Sequence, residues 1–235
     1  MTNLPHIGDP TLGQRTTVCR SCGGSHLHDV LDLGSTPVAN ALVPLDATGT
    51  DPSFPLAIVF CEDCTLVQLG YALPADAIFD EEYPYYSSFS DALCRHAATH
   101  VANLIETRHL GPEHFAVEVA SNDGYLLKNF VAAGVRTLGI DPSPGPAAAA
   151  EKIGVPTIVD FFGVTAAEKI VAEHGRAHVI MANNVMAHVP DLNDFVGGFA
   201  TLLADDGVLT VENPYVRDMI EHCEFDTIYH EHYCY

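Results

Sequence analysis

The sequence predicts an α/β chain in two parts, a doubly wound parallel sheet preceded by a small module organised by cysteines. From about residue 90, apolar strand candidates alternate with helical patterns through short turns, the signature of parallel strands joined by crossover helices. Before that point four of the seven cysteines fall into two Cys-x-x-Cys pairs, Cys19/Cys22 and Cys61/Cys64. Composition sets the frame: 235 residues, 48% hydrophobic and 17% charged, suffice for a sizeable core. The expected boundaries are 1–75 for the cysteine module and 76–235 for the sheet.

The charge balance excludes one class of partner. Ten basic against 31 acidic residues give a formal net charge of -21. Nucleic acid is bound by neutralising phosphates with Lys and Arg, so no nucleic-acid partner is expected. A small anionic substrate stays open, because a few local donors can hold one pyrophosphate. No stretch approaches the roughly 18 unbroken apolar residues of a membrane helix. The opening MTNLPHIGDPTLGQRTT has no basic flank followed by an apolar segment. The expectation is a cytoplasmic protein with no membrane partner; its oligomeric state is open, a monomer being plausible.

The cysteine pairs, VCRSCGG and FCEDCTLVQ, have the shape of zinc knuckles. Two residues between cysteines let both thiolates meet one ion, and two knuckles complete a tetrahedral Zn2+ site. Between the pairs, VLDLGSTPVANALV and PLAIVF read as an excursion and a returning strand. Four thiolates leave no open position for water, so the expected role is structural, replacing a core this module is too small to build. A redox dithiol fits less well, since neither pair opens a helix after a strand.

The second part begins with a helix from Ser90, a capping residue ahead of apolar positions at helical spacing. Five strands are expected at 115–120, 137–142, 156–161, 178–185 and 207–214. Helices are expected near 124–133, 145–153, 165–174 and 191–204. Ligands of such sheets bind beyond the carboxyl ends of the strands, so the residues there matter most. They are Ser121, Asn122, Asp123 and Gly124 after the first strand, which carries Glu118; Asp141 after the second; Asp160 and Phe161 after the third; and Asn183 and Asn184 after the fourth. The glycine triplet of a dinucleotide fingerprint is absent, so close approach of backbone to a pyrophosphate is not provided.

The arrangement suits S-adenosylmethionine, a cofactor with a sulfonium, an amino-acid end and a nucleoside but no phosphate. It predicts a Rossmann-like S-adenosylmethionine methyltransferase sheet. Asp141 would accept the ribose hydroxyls, the 121–124 turn would hold the amino-acid end, and Asp160 would accept from the adenine amino group beside Phe161. Each acid taken alone also reads as a turn or helix cap.

With Cys19/Cys22/Cys61/Cys64, Tyr83-Pro84-Tyr85-Tyr86-Ser87-Ser88, Ser121-Asn122-Asp123-Gly124, Asn183-Asn184-Val185 to His188, and Tyr229-His230-Glu231-His232-Tyr233, the chain resembles a known family. It is similar to the S-adenosylmethionine-dependent sugar C-methyltransferases of antibiotic deoxysugar biosynthesis. The resemblance implies methylation of the ring carbon beside the ketone of a nucleotide (dTDP)-linked 4-keto-deoxysugar, the substrate partner. A C–H beside a carbonyl is acidic enough for a side-chain base, and the resulting enolate carbon can attack the sulfonium methyl. His232 is the expected base, with Glu231, Tyr83, His188 and Tyr229 around the sugar and the enolate oxygen.

The resemblance also implies a further α/β domain after residue 235. The chain is therefore expected to be a truncated product or part of a longer gene, with Glu231 and His232 present yet poorly supported. Local readings remain for several of these residues. YPYYSS also reads as an aromatic linker, His188 as a helix-entry residue, and His230 with His232 as a pair sharing an ion, although H-E-x-x-H is absent. O- or N-methylation of a small metabolite, or a fragment that only binds zinc and cofactor, are the alternative functions.

Overall fold

The computed structural model describes residues 12–42, 45–46, 51–75, 78–79 and 84–235. The chain forms two compact units, one of Met1–Asp80, Met186–Asn193 and Asn213–Tyr235, the other of Glu81–Val185 and Asp194–Glu212.

In the first unit, β1 (Gln14–Arg15) pairs antiparallel with β5 (Tyr71–Ala72), and β2 (Leu27–Pro37), β3 (Ser53–Cys61) and β4 (Val67–Leu69) form a three-stranded antiparallel sheet in that order. β2 and β3 are the expected excursion and returning strand. The C-terminal segment adds to this sheet: Cys234 bridges Gln68 antiparallel, Leu69 N–H donates to the Tyr233 carbonyl (3.0 Å) and Tyr235 N–H to that of Val67 (2.9 Å). Val38, Phe54, Leu73, Ile78 and Tyr233 make one core, and Leu56, Ile58 and Leu69 a second. Helix α6 (Val216–His222) leads into the C-terminal segment.

In the second unit Ser90 caps α1 (Asp91–Arg108), its hydroxyl accepting from Leu93 N–H as the sequence predicts. Then follow β6 (Phe115–Val119), α2 (Leu127–Ala132), β7 (Arg136–Ile140), α3 (Pro144–Lys152), β8 (Thr157–Ile158), α4 (Val164–His174), β9 (Ala177–Asn183), α5 (Leu192–Leu202) and β10 (Leu203–Glu212). All five strands are parallel in the order β10-β9-β6-β7-β8. The order reverses between β6 and β9, the switch point at which such sheets bind ligands. Ala97, Val101 and Leu104 lie on one face of α1 and pack in a core with Ala116, Leu126, Phe130, Val179 and Met181.

Three elements differ from their sequence-based spans by three or more residues at one end. α2 starts at 127 rather than 124 because Gly124, at φ +77, closes a turn onto the Ser121 carbonyl. β8 keeps two of six residues, since it is an edge strand and Asp160 turns back to accept from Phe161 N–H. β10 starts at 203 because Leu203 pairs with Ala177 before a register shift to Val208. No helix among the described residues is long and apolar enough to cross a membrane.

Candidate active site and metal centre

The carboxyl ends of β6 and β7 carry a strained turn. Ala120 and Asn122 lie in the left-handed region at φ +56 and +49, a conformation costly for residues with a Cβ and concentrated at functional sites. The turn is held from two sides. Asn122 N–H donates to Asp141 Oδ2 (2.8 Å), and Ser143 N–H donates to Oδ1 of the same carboxylate (2.8 Å). From the YPYYSS stretch, Ser87 N–H donates to Asn122 Oδ1 and Ser88 N–H to Asp123 Oδ2, while Asn122 Nδ2 donates to the Tyr85 carbonyl. Gly139 makes room for the turn: a Cβ there would meet Ser121 Oγ at 2.3 Å.

Glu118, Asp123 and Asp141 are 1%, 5% and 4% exposed, and no ion pair among the described residues involves any of them. Burial, reinforced by the charges of Asp141 and Asp123, drives the Glu118 carboxyl well above the usual carboxylate range. Burial also raises Asp141, against the donors at 122 and 143. Glu118 Oε2, Asp123 Oδ1 and Ser121 Oγ are buried without a hydrogen-bond partner. Three buried carboxyls outside any ion pair among the described residues make an acceptor set suited to a positively charged, hydroxyl-rich ligand. Asp160 and Phe161 are exposed, Asp160 lying 3.5 Å from Lys169 Nζ. Asn183 closes β9, and Asn184 at φ +53 donates through Nδ2 to Glu212 Oε1.

The first unit holds the second group of chemical side chains. His232 Nδ1 lies 3.0 Å from the Thr227 carbonyl, which only accepts, so Nδ1 carries the proton and Nε2 offers a lone pair. The Tyr229 hydroxyl, 2.8 Å away, donates to Nε2. Burial lowers His232 to about 4, and burial together with His232 lowers His188 to about 3. Both rings are therefore neutral near pH 7, their centroids 4.7 Å apart and nearly perpendicular. His188 Nδ1 lies 4.0 Å from Glu231 Oε2, and Asn40 Nδ2 donates to Glu231 Oε1 at 2.5 Å. A turn at 229–232, closed by His232 N–H on the Tyr229 carbonyl, sends Glu231 toward His188 rather than its sequence neighbour. Glu231 and His232 are both buried, just ahead of Tyr233 in the core and Cys234 on β4. His230 faces the Phe54 carbonyl instead (3.2 Å) and shares no metal-ligating group with His232 among the described residues. Tyr83 lies outside the described residues.

The four paired cysteines converge, all sulfurs within 4.8 Å of one another. Cys19–Cys64 and Cys22–Cys61 are 3.5 and 3.6 Å apart, near the about 3.8 Å edge of a tetrahedron with Zn–S bonds of about 2.3 Å. The two knuckles repeat one geometry. In each, the first cysteine's carbonyl accepts from the residue four on, Gly23 or Thr65, which sits in the left-handed region at φ +72 or +66. Burial opposes the Cys19 thiolate, yet the amides of Cys22 and Ser21 bring it down to about 6. Gly24 N–H favours the Cys22 thiolate, but desolvation and the neighbouring sulfurs push it up to about 12. Thiols crowded this way are stabilised by a cation that takes their charge together.

Residues 110–235, more than half of the chain, match the family model described as "Methyltransferase domain". The chain belongs to this methyltransferase family. Residues 19–79 match a second model, described as "Putative zinc binding domain". The methyltransferase is similar to C-methyltransferase NovU of Streptomyces niveus, 36% identical over 218 residues, which are 92% of this chain and 52% of that protein. It is 34% identical over 114 residues to a ubiquinone biosynthesis O-methyltransferase of Methylobacterium sp. (strain 4-46), covering 45% of this chain and 41% of that one. Among solved structures, Streptomyces venezuelae DesVI is 22% identical with a TM-score of 0.40, over 52% of this chain and 51% of that chain. The chain spans about half the length of the curated relatives it matches.

Sequence reading of this methyltransferase missed Asn40, Gly139 and the clasp of residues 85–88 on Asn122 and Asp123. The glycine sits in a strand, a signal for close approach. Asn40 and Glu231 are 191 residues apart, and nothing in local patterning connects them.

The buried neutral histidines set a pH dependence of stability. Below the ordinary histidine value of 6.5 the unfolded chain binds protons that folded His232 and His188 refuse. Stability is thus full above about pH 6.5 and falls as pH drops toward about 4 for His232 and about 3 for His188. His232 alone contributes about 3 kcal/mol of this loss. Urea unfolding at pH 7 and pH 4.5 measures it, and His232→Gln should show a smaller difference between the two.

Proposed function

We propose that this methyltransferase uses S-adenosylmethionine to methylate the ring carbon next to the ketone of a nucleotide-linked 4-keto-deoxysugar. The carrying observation is His232, neutral, buried and fixed as the tautomer whose Nε2 can take a proton. When bound, S-adenosylmethionine supplies an electrophilic methyl on a sulfonium. The residues present fit it: Glu118, Asp123 and Asp141 offer buried acceptors without a cation, Ser121, Asn122 and Gly124 shape the turn for its amino-acid end, and Asp160, Phe161, Asn183 and Asn184 belong to the neighbouring strand ends.

In the free protein the Tyr229 hydroxyl, hydrogen-bonded to His232 Nε2, keeps the ring oriented. With substrate bound that hydroxyl turns to the ketone oxygen, and the freed Nε2 of His232 accepts the proton from the adjacent carbon, leaving an enolate whose oxygen Tyr229 hydrogen-bonds. Glu231 and His188 contact the sugar, and Tyr83 belongs to the same set by resemblance. Zinc is assigned to Cys19, Cys22, Cys61 and Cys64 as a structural ion, with no open position for catalysis.

The test supplies S-adenosylmethionine labelled with carbon-13 in its methyl, together with a dTDP-4-keto-deoxysugar, and locates the label by NMR. A new methyl on the carbon adjacent to the ketone is expected. A label on oxygen or nitrogen would replace this reading with an O- or N-methyltransferase.

A further inference from the structure

We infer that Asn40 is a positioning residue for this chemistry, gripping Glu231 so that its carboxylate is presented beside His188 without closing into an ion pair with it. The inference rests on the proposed reading of Glu231 and His188 as site groups. Asn40 Nδ2 donates to Glu231 Oε1 at 2.5 Å, while the other oxygen, Oε2, stops 4.0 Å from His188 Nδ1. That nitrogen is buried and makes no hydrogen bond. Asn40 itself is exposed, whereas Glu231 is 1% exposed, so the amide reaches inward from the surface to a buried acid.

Both ends of the bond are anchored in one core. Asn40 follows Val38 by two residues, Glu231 precedes Tyr233 by two, and Val38 and Tyr233 pack in the same apolar cluster. The carbonyls of Val38 and Asn40 each accept a local N–H, from Ala41 and Leu42, which fixes the loop around the amide. Burying a carboxylate costs several kcal/mol, and here it is buried beside the His188 ring.

The consequence is a defined division of labour. With the amide in place, His188 stays uncharged and its Nδ1 is available to substrate. Without it, the carboxylate turns to His188 and pairs with it. The other titratable groups in this cluster are His232, Tyr229 and Tyr235, all carried by the C-terminal segment.

The test is imidazole nitrogen NMR of the zinc-loaded full chain, titrated from pH 7.5 to 4. In the unmodified protein His188 should remain neutral over this range. In Asn40→Ala its midpoint should rise by at least one pH unit, while His26, paired with Asp63 on the surface, does not move. Should Asn40→Ala lose the Val38 and Tyr233 signals of the folded core, the near-isosteric, uncharged Asn40→Leu decides, and the same rise is expected. A His188 titration unchanged in a folded Asn40 variant would overturn the inference.

A turnover arm separates the two claims. Asn40→Ala should lower kcat about tenfold with S-adenosylmethionine affinity unchanged. A shifted His188 in a protein that never methylates the ketosugar would sink the proposed function and leave Asn40's role standing. An active protein with an unmoved His188 would sink Asn40's role alone.

Discussion

His232→Ala is expected to lower kcat about 10³-fold while S-adenosylmethionine affinity stays within about twofold, as measured by initial rates with the ketosugar and by calorimetry. General-base catalysis contributes about 10²- to 10⁴-fold, and the upper part of that range applies where no other base can substitute. His188 is nearest, but it is a weaker base still, lowered to about 3. His230 points to the Phe54 carbonyl. Cofactor affinity is spared because the cofactor acceptors, Glu118, Asp123 and Asp141, belong to the other compact unit with its own core. Near wild-type turnover in this variant would remove His232 from the mechanism.

Cys61→Ser has the largest expected effect on stability. Cys61 is fully buried, ends β3 and opens the second knuckle, so one substitution removes a ligand and disturbs a strand. Structural zinc supplies about 10 kcal/mol or more of folding free energy in small modules. The loss passes along the chain, since β4 follows the knuckle directly and carries Tyr233, Cys234 and Tyr235 through its hydrogen bonds. Metal analysis should fall from one zinc per chain to none, and hydrogen exchange at residues 233–235 should become fast. Exchange in the parallel sheet should be retained. Full metal content in the variant would refute the four-thiolate site.

Much of the fold was legible because its signals are local. Ser90 caps α1 as its side chain dictates, the five apolar runs become the five parallel strands, and the cysteine pairs meet because each knuckle closes within six residues. The strand ends that gather Glu118, the 121–124 turn and Asp141 follow from the order of a doubly wound sheet. What escaped is set by distance along the chain. Nothing in YHEHYCY announces that Cys234 bridges Gln68, or that Tyr233 shares a core with Val38 and Phe54. The turn that separates Glu231 from His232 and joins it to Asn40 and His188 depends on that docking. Likewise the YPYYSS stretch contributes backbone, through Tyr85, Ser87 and Ser88, where its sequence advertises side chains.

Solvent exchange tests the enolate route most directly. A dTDP-4-keto-deoxysugar incubated in D2O with the full chain and S-adenosylhomocysteine, which cannot donate a methyl, should exchange the hydrogen beside its ketone faster than without protein. The same mixture with His232→Ala should fall back to the background rate. Exchange by His232→Ala equal to that of the unmodified chain, or methyl transfer to the sugar with the adjacent hydrogen retained, would contradict a His232-generated enolate.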